Sequence, residues 1–128
     1  AIACPVDCIS MSNHLLHSWQ GKLLDPILVA SVQKVRAELD HLLEGHPHID
    51  IQKVKSAKTM NDFDNAIIAP MFDFRCSSDY YRESSAGLYL SKVRVPMLFL
   101  NARNDPIVPA HLIRSDNFTG SVITDNVD

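Results

Sequence analysis

Asp105 is the residue whose type and position point most directly to chemistry. It follows the apolar run Met97-Leu98-Phe99-Leu100, inside a polar turn that ends at Pro109. A short apolar run bounded by proline and turn residues predicts a strand that is buried on both faces. Because ligands of parallel α/β sheets bind just past the carboxyl ends of the strands, Asp105 has a position typical of a functional acid. An Asp before a Pro is also common in ordinary turns, so a purely conformational role remains an alternative.

Histidines are the other side chains that could bind a metal or move protons. His14 and His17 are three residues apart in one predicted helix, and His41, His46 and His48 follow within a short stretch. Metal sites need three or four converging ligands, usually with cysteines or carboxylates at fixed spacing. Since the sequence lacks such spacing, we predict exposed or half-buried histidines and no metal.

Cysteine content and charge restrict the class of protein. Cys4, Cys8 and Cys76 are an odd number, unlike the even, dense set of a small secreted scaffold, and we predict free, mostly buried thiols in a reducing compartment. With a net charge of −3 and no run of Lys and Arg, nucleic acid is not an expected partner. No apolar run approaches the roughly 20 residues of a transmembrane helix, and no signal peptide is evident.

The elements that must position Asp105 are predicted to be mainly helical. The clearest helix covers residues 24–44, where apolar side chains recur at three- and four-residue steps, as in one buried stripe. Asp25 is its predicted N-cap, Pro26 takes the first helical position, and Gly45 ends it. The stripe consists of Leu28, Val32, Val35, Leu39, Leu42 and Leu43.

Shorter helices are predicted before and after this one. Gly21 is expected to interrupt the first, and Gly87 to end the helix that begins at Ser77 or Ser78. Thr59, with Asp62 at the capping-box spacing, begins a helix that ends just before Pro70. The remaining short helices cover residues 9–19, 50–57 and 109–114.

The predicted strands flank this helical stretch. They cover residues 1–4 and 97–101, with a last short strand at 121–124. The mostly helical stretch between the first two is roughly 85 residues long, although a crossover needs only about a dozen. Such an insertion is typical of a cap or lid over a site.

Three segments, in order along the chain, resemble the cap and acid strand of one branch of the α/β-hydrolases. That branch includes the plant embryogenesis-associated hydrolases and the animal esterases, lipases and phospholipases of the α/β-hydrolase-domain group. The segments are Thr59 to Asp64, Ser78 to Ser85 and Val95 to Pro106.

This resemblance implies an α/β fold class: a partial α/β-hydrolase fold of two or three parallel strands with a large helical cap insertion. Residues 1–128 would be a fragment of one such domain. Within it, residues 1–7 would form a strand and turn, 8–92 the helical cap, and 93–128 the acid strand, a helix and a divergent tail. Asp105 would be the catalytic acid of a Ser-Asp-His triad.

The other two members of the triad are not found in the sequence. The family nucleophile lies in G-x-S-x-G, and none of the four glycines forms that pattern. The family histidine follows the acid by a few dozen residues, whereas His111, the last histidine, is only six residues past Asp105. Because the chain order is Ser, Asp, His, we expect a fragment that lacks both flanks and is inactive alone. The Ser77-Ser78 and Ser84-Ser85 pairs are predicted to be helix-boundary residues.

The resemblance implies a serine carboxylic-ester hydrolase that acts on a small-molecule ester or lipid, of the acylglycerol or phospholipid type, with no cofactor and no metal. Animal members of the branch are anchored by an N-terminal helix that these 128 residues do not contain, so the location stays open between intracellular and membrane-associated. Two roles are open for apolar cap side chains, which could line an acyl-chain pocket or pack within the cap. They are Trp19, Phe63, Phe72, Phe74, Tyr80 and Tyr81, together with Met11, Met60 and Met71.

The alternative function is a truncated, non-catalytic hydrolase-like module with a binding or regulatory role. A strand without its neighbours exposes an unpaired edge and apolar side chains, which promotes association.

Overall fold

A computed structural model describes residues 4–112 of the protein. In this range the chain forms helices and no extended strand. The α-helices are α1 (Cys8–His17), α2 (Trp19–Leu43), α3 (Ile51–Ser56), α4 (Met60–Phe63), α5 (Ala69–Met71), α6 (Ser77–Ser84) and α7 (Gly87–Leu90). A π-helical segment (Asp64–Ile68) joins α4 to α5, and a 3₁₀ turn covers Ala110–Leu112.

The long helix begins earlier than the sequence suggested. Its N-cap is Ser18, whose side chain accepts the N–H of Gly21 at 2.9 Å. Three predictions are therefore wrong: Asp25 does not cap this helix, Pro26 does not open it, and Gly21 does not interrupt the helix before it. Asp25 is instead buried and accepts the backbone N–H of Met60 at 2.9 Å. Its carboxylate therefore makes a tertiary hydrogen bond in place of a capping bond to its own helix.

Gly21 forms the corner where α1 and α2 meet. A Cβ built on Gly21 would lie 2.2 Å from the carbonyl oxygen of Leu15 and 2.5 Å from its Cα. These are backbone atoms and cannot rotate away, so only glycine allows the two helices to approach this closely. The close packing lets α1 lie along the first turns of α2.

The core of the helical region lies where α2, α3 and α4 meet. Its buried members are Leu43, Val54, Phe63 and Ile67. Gly45, with φ of 85°, ends α2 as predicted and turns the chain toward α3. Asp50 then caps α3 by accepting the N–H groups of two residues in its first turn.

The helix after Thr59 begins as predicted but runs further. Thr59 and Asp62 form the predicted capping box. The helix does not end before Pro70, because the π-helical segment is followed by α5, in which Pro70 lies in the first turn.

Helix α6 is tied to the start of the described chain. The Ser85 hydroxyl accepts the N–H of Cys8 at 3.0 Å and donates to the carbonyl of Tyr81 at 2.7 Å. Gly87 was predicted to end this helix, but α6 ends at Ser84 and Gly87 begins α7, where its N–H donates to the carbonyl of Val6 at 2.9 Å. These bonds hold α1 against α6.

The predicted strands are not confirmed. Residues 93–101 have no regular secondary structure apart from a single β-bridge at Leu100. Of the strand predicted at residues 1–4 only Cys4 is described, and the one predicted at 121–124 lies outside the described residues. The predicted helix at 109–114 is a 3₁₀ turn in its described part. No disulfide joins the three cysteines, of which only Cys8 is buried. No helix within residues 4–112 is both long and apolar enough to cross a bilayer.

Candidate active site

Asp105 lies in a turn that its own side chain stabilises. Its Oδ1 accepts the backbone N–H of Ile107 at 2.8 Å and that of Val108 at 2.9 Å, and its N–H donates to the carbonyl of Ala102 at 3.3 Å. Val108 is only 5% exposed and anchors the turn. The carboxylate is thus fixed through one oxygen, and within residues 4–112 no hydrogen bond to its Oδ2 is found.

No histidine or serine in the described chain completes a triad with Asp105. His111 packs its ring edge-to-face against His14, with centroids 5.8 Å apart, and neither ring bonds to Asp105. His14 faces Ser18 and His17 faces the carbonyl of Asn13, so this pair does not converge on a common ligand. Among residues 4–112 no group of three or more potential metal ligands is found.

A cavity of about 190 Å³ lies beside the Asp105 turn, with Ile107 in its wall. Helices α1 and α2 and the chain from Met60 to Asp64 supply most of the remaining wall. The cavity is mainly apolar, and its apolar lining is Met11, Leu15, Leu16, Leu28, Met60 and Ile107. A mainly apolar cavity with a few polar groups is the usual form of a small-molecule site.

Three of the polar groups that line this cavity, Asp25, Asp64 and Tyr81, form an acidic cluster. Tyr81 donates its hydroxyl to Oδ2 of Asp64 at 2.5 Å, and Asp25, only 4% exposed, also lines the cavity. Burial raises the pKa of Asp64, and the charge of Asp25 raises it further, whereas the bond from Tyr81 opposes the rise. Burial and the bond to Asp64 together raise the pKa of Tyr81.

Sequence reasoning missed Asp25 and Asp64 as site residues. The cluster joins α2, the π-helical segment and α6. Because its members are far apart in the chain, no regular spacing of residues predicts their contact. One local signal was present, because Asp25 is an isolated acid inside the apolar stretch Leu23 to Leu28. An acid in that setting can either cap a helix or be buried against one, and the sequence pattern favoured the cap.

The apolar cap residues divide between the two roles left open. Tyr81, Met11 and Met60 line the cavity, whereas Phe63 belongs to the core cluster. Two of the aromatic side chains do neither, since Trp19 is 73% exposed and Phe72 is 62% exposed. Ser84 and Ser85 occupy the end of α6, as predicted for helix-boundary serines.

Comparison with known proteins identifies relatives of one kind. The chain is 40% identical over 65 residues to the phospholipase ABHD3 of Mus musculus, a match that covers 51% of this chain and 16% of the relative. It is 31% identical over 94 residues to the monoacylglycerol lipase of Saccharomyces cerevisiae, covering 69% of this chain and 21% of that protein. A third relative is the embryogenesis-associated protein EMB8 of Picea glauca, 31% identical over 91 residues, with 70% and 20% covered.

These matches span about a fifth of the length of the relatives. No protein-family model matches the chain, and no solved structure matches it significantly. The relatives nevertheless agree in kind, and they include an abhydrolase domain-containing protein of Dictyostelium discoideum that is 26% identical over 85% of this chain. The chain belongs to the α/β-hydrolase family.

Proposed function

We propose that this chain supplies the triad acid and the helical cap of a serine hydrolase that cleaves carboxylic esters of acylglycerols or phospholipids. Asp105 is the acid in this proposal. Residues 8–92 form the cap, and residues 97–101 form the strand before the acid once neighbouring strands are present. The nucleophilic serine and the histidine come from parts of the enzyme outside these 128 residues.

The observation that supports this proposal most directly is the geometry of the Asp105 turn. Two backbone N–H groups hold Oδ1 in place, and the turn borders a small apolar cavity under the cap helices. A carboxylate held in this way can accept the N–H of an imidazole through its other oxygen. It would then orient the ring and stabilise the imidazolium formed when the serine hydroxyl loses its proton to attack the acyl carbon.

Asn101 gives independent support for an additional covering segment. Its side-chain Nδ2 and Oδ1 are both buried and have no hydrogen-bond partner among the described residues. An unpaired buried polar group costs about 1–3 kcal/mol, so such groups are normally paired in a complete protein. Asn101 lies four residues before Asp105. The rest of the hydrolase domain would supply its partner along this edge.

A chimera tests the proposal. The segment of the yeast monoacylglycerol lipase that matches this chain would be replaced by the matching residues of this chain, and monoacylglycerol hydrolysis would be measured. We expect activity that Asp105→Asn lowers by about 10⁴-fold, as expected when a triad acid is neutralised. The control Asp73→Asn makes the same chemical change at an exposed turn residue with φ of 59°, a conformation asparagine accepts, and should leave the rate unchanged.

Two results would contradict the proposal. One is a chimera that is folded by circular dichroism but inactive. The other is an active chimera that Asp105→Asn does not impair. The chain alone should show no turnover of short aryl esters above that of buffer, because it lacks the nucleophile.

A further inference from the structure

We propose that the cavity beside the Asp105 turn binds an apolar group with a hydrogen-bond donor, a hydroxyl or an ammonium, which donates to the carboxylates of Asp25 and Asp64 in the cavity wall. The inference rests on the proposed function, since it names the part of the ester substrate that this cavity holds. Free hydroxyls of acylglycerols and the amino group of an aminophospholipid are two sources of this chemistry.

The first step concerns Asp25. The residue is 4% exposed, and one of its carboxylate oxygens accepts the N–H of Met60 at 2.9 Å. No hydrogen bond to its other oxygen is found in the part of the chain that the structure describes, and the residue lines the cavity. A carboxylate oxygen that lines a mainly apolar cavity is more stable when it accepts a hydrogen bond. A donor on a bound ligand would supply that hydrogen bond.

The second step concerns the sign of the charge. Asp64 lines the same cavity, where its Oδ2 accepts the Tyr81 hydroxyl. No Lys, Arg or His is among the residues that line the cavity. The two carboxylates therefore favour a neutral donor or a cation and disfavour an anion.

The third step concerns size and the rest of the wall. An apolar cavity of about 150 Å³ is large enough to hold benzene, so about 190 Å³ accommodates six non-hydrogen atoms. Six apolar side chains form most of the wall. The cavity thus fits a short hydrocarbon that ends in one donor, rather than a large polar head group.

The test measures binding to the full chain, which needs no nucleophile. Four probes of similar size would be titrated in the millimolar range: 1-pentanol, pentylammonium, butyl methyl ether and pentanoate. Butyl methyl ether matches pentanol in size but has no donor, and pentanoate has the wrong charge. The readout is the NMR signal of ¹³C-labelled methionine methyl groups. Met11 and Met60 line the cavity, whereas Met71 and Met97 are partly exposed elsewhere and serve as internal controls.

We expect pentanol and pentylammonium to shift the Met11 and Met60 signals with saturation, and the ether to bind at least about fivefold more weakly, since a lost hydrogen bond is worth about 1 kcal/mol. Pentanoate should leave both signals unchanged. Preference for pentanol over pentylammonium would identify the hydroxyl as the donor, and the reverse preference the ammonium. Equal binding of the ether or of pentanoate would overturn the proposal, as would shifts of all four methionines together.

Asp25→Asn removes the charge at this position but keeps a side chain of nearly the same size and shape, so it tests the contribution of the charge to binding. The asparagine oxygen can still accept the N–H of Met60, so the variant should stay folded. It should weaken pentylammonium binding by about tenfold, while Asp73→Asn should not. Unchanged binding in Asp25→Asn and in Asp64→Asn would overturn the role of the carboxylates. If the probes bind but the chimera is inactive, the proposed function is contradicted and this inference is not. If the chimera is active but the probes do not bind, this inference is contradicted and the proposed function is not.

Discussion

Three carboxylates near one cavity accept hydrogen bonds from different kinds of donor, and this difference suits them to different roles. Asp105 is fixed by two backbone N–H groups of its own turn. Asp64 is bonded to a buried phenol, and Asp25 to a backbone N–H from another helix. Only Asp105 lies in a turn after the apolar segment, where an imidazole from another part of the domain could approach. Asp25 and Asp64, which line the cavity, are better suited to contact a bound group.

Within the described residues, the buried side-chain amide of Asn101 has no hydrogen-bond partner for either its Nδ2 or its Oδ1. We expect Asn101→Leu to stabilise the isolated chain by about 1 kcal/mol, because it removes two buried polar atoms that lack partners and adds an apolar side chain of similar size. The measurement is the urea midpoint of unfolding. In the chimera the same substitution should destabilise the protein, because the rest of the domain would then supply partners.

Asn61 provides the matched control for this substitution. Its Nδ2 donates to the Ser77 hydroxyl at 3.0 Å, and its Oδ1 accepts from Asn65. Asn61→Leu should therefore destabilise the isolated chain by about 1–2 kcal/mol. A loss of stability in Asn101→Leu as large as that in Asn61→Leu would show that the Asn101 amide already has partners in the isolated chain.

At the level of elements, the corner between α1 and α2 determines whether the cavity forms. Leu15 and Leu16 of α1 and Leu28 of α2 line the cavity, and Gly21 sets how closely the two helices approach. Gly→Ala inside a helix normally stabilises by about 0.5–1 kcal/mol. Here the added Cβ would meet backbone atoms of Leu15.

We expect Gly21→Ala to destabilise the chain by about 2 kcal/mol, the cost of forcing atoms into a packed site. Thermal and urea unfolding followed by circular dichroism would measure it. Ser31→Ala, at an exposed position of the same helix, should instead be neutral or slightly stabilising, because alanine is the better helix former. If Gly21→Ala were as stable as Ser31→Ala, the close approach of α1 and α2 would be wrong.

Local signals predicted helix ends where no tertiary contact competed for the same side chain. The capping box of Thr59 and Asp62 and the stop at Gly45 depend only on neighbouring backbone groups, and both were predicted correctly. The cap at Asp25 was not, because Ser18 already caps the helix and a distant N–H, that of Met60, bonds to the Asp25 side chain. When two residues could each cap a helix, a sequence pattern cannot show which side chain will instead hydrogen-bond to a distant segment.

At the level of the whole molecule, the apolar segment before Asp105 explains what sequence could and could not predict. The run from Met97 to Leu100 has the composition of a buried strand, and Asp105 lies in the turn just after it. A strand also needs neighbouring strands, and the described residues 4–112 contain no regular strand. Asp105 could thus be proposed as an acid from the sequence, whereas the cavity beside it depends on contacts between residues far apart in sequence.

The same segment should make the isolated chain associate. Val95 is 68% exposed, Met97 49% and Leu100 52%, although all three have apolar side chains. An extended apolar segment can pair with another chain through backbone hydrogen bonds as well as side chains. We therefore expect concentration-dependent association in sedimentation velocity over the micromolar range, and the double variant Val95→Lys, Met97→Lys should weaken it by at least about tenfold.

The exposed face of α2 is the control surface for this prediction. Trp19 and Leu23 are even more exposed, at 73% and 63%, but a helix has no free backbone groups along its length to pair with a second chain. The double variant Trp19→Lys, Leu23→Lys should therefore reduce association far less than the pair at residues 95 and 97. If the wild-type chain stayed monomeric, or if the α2 variant alone abolished association, the exposed apolar segment before Asp105 would not be the surface through which the chain associates. The expectation that residues 97–101 form an inner strand of the complete enzyme would then lose its physical basis.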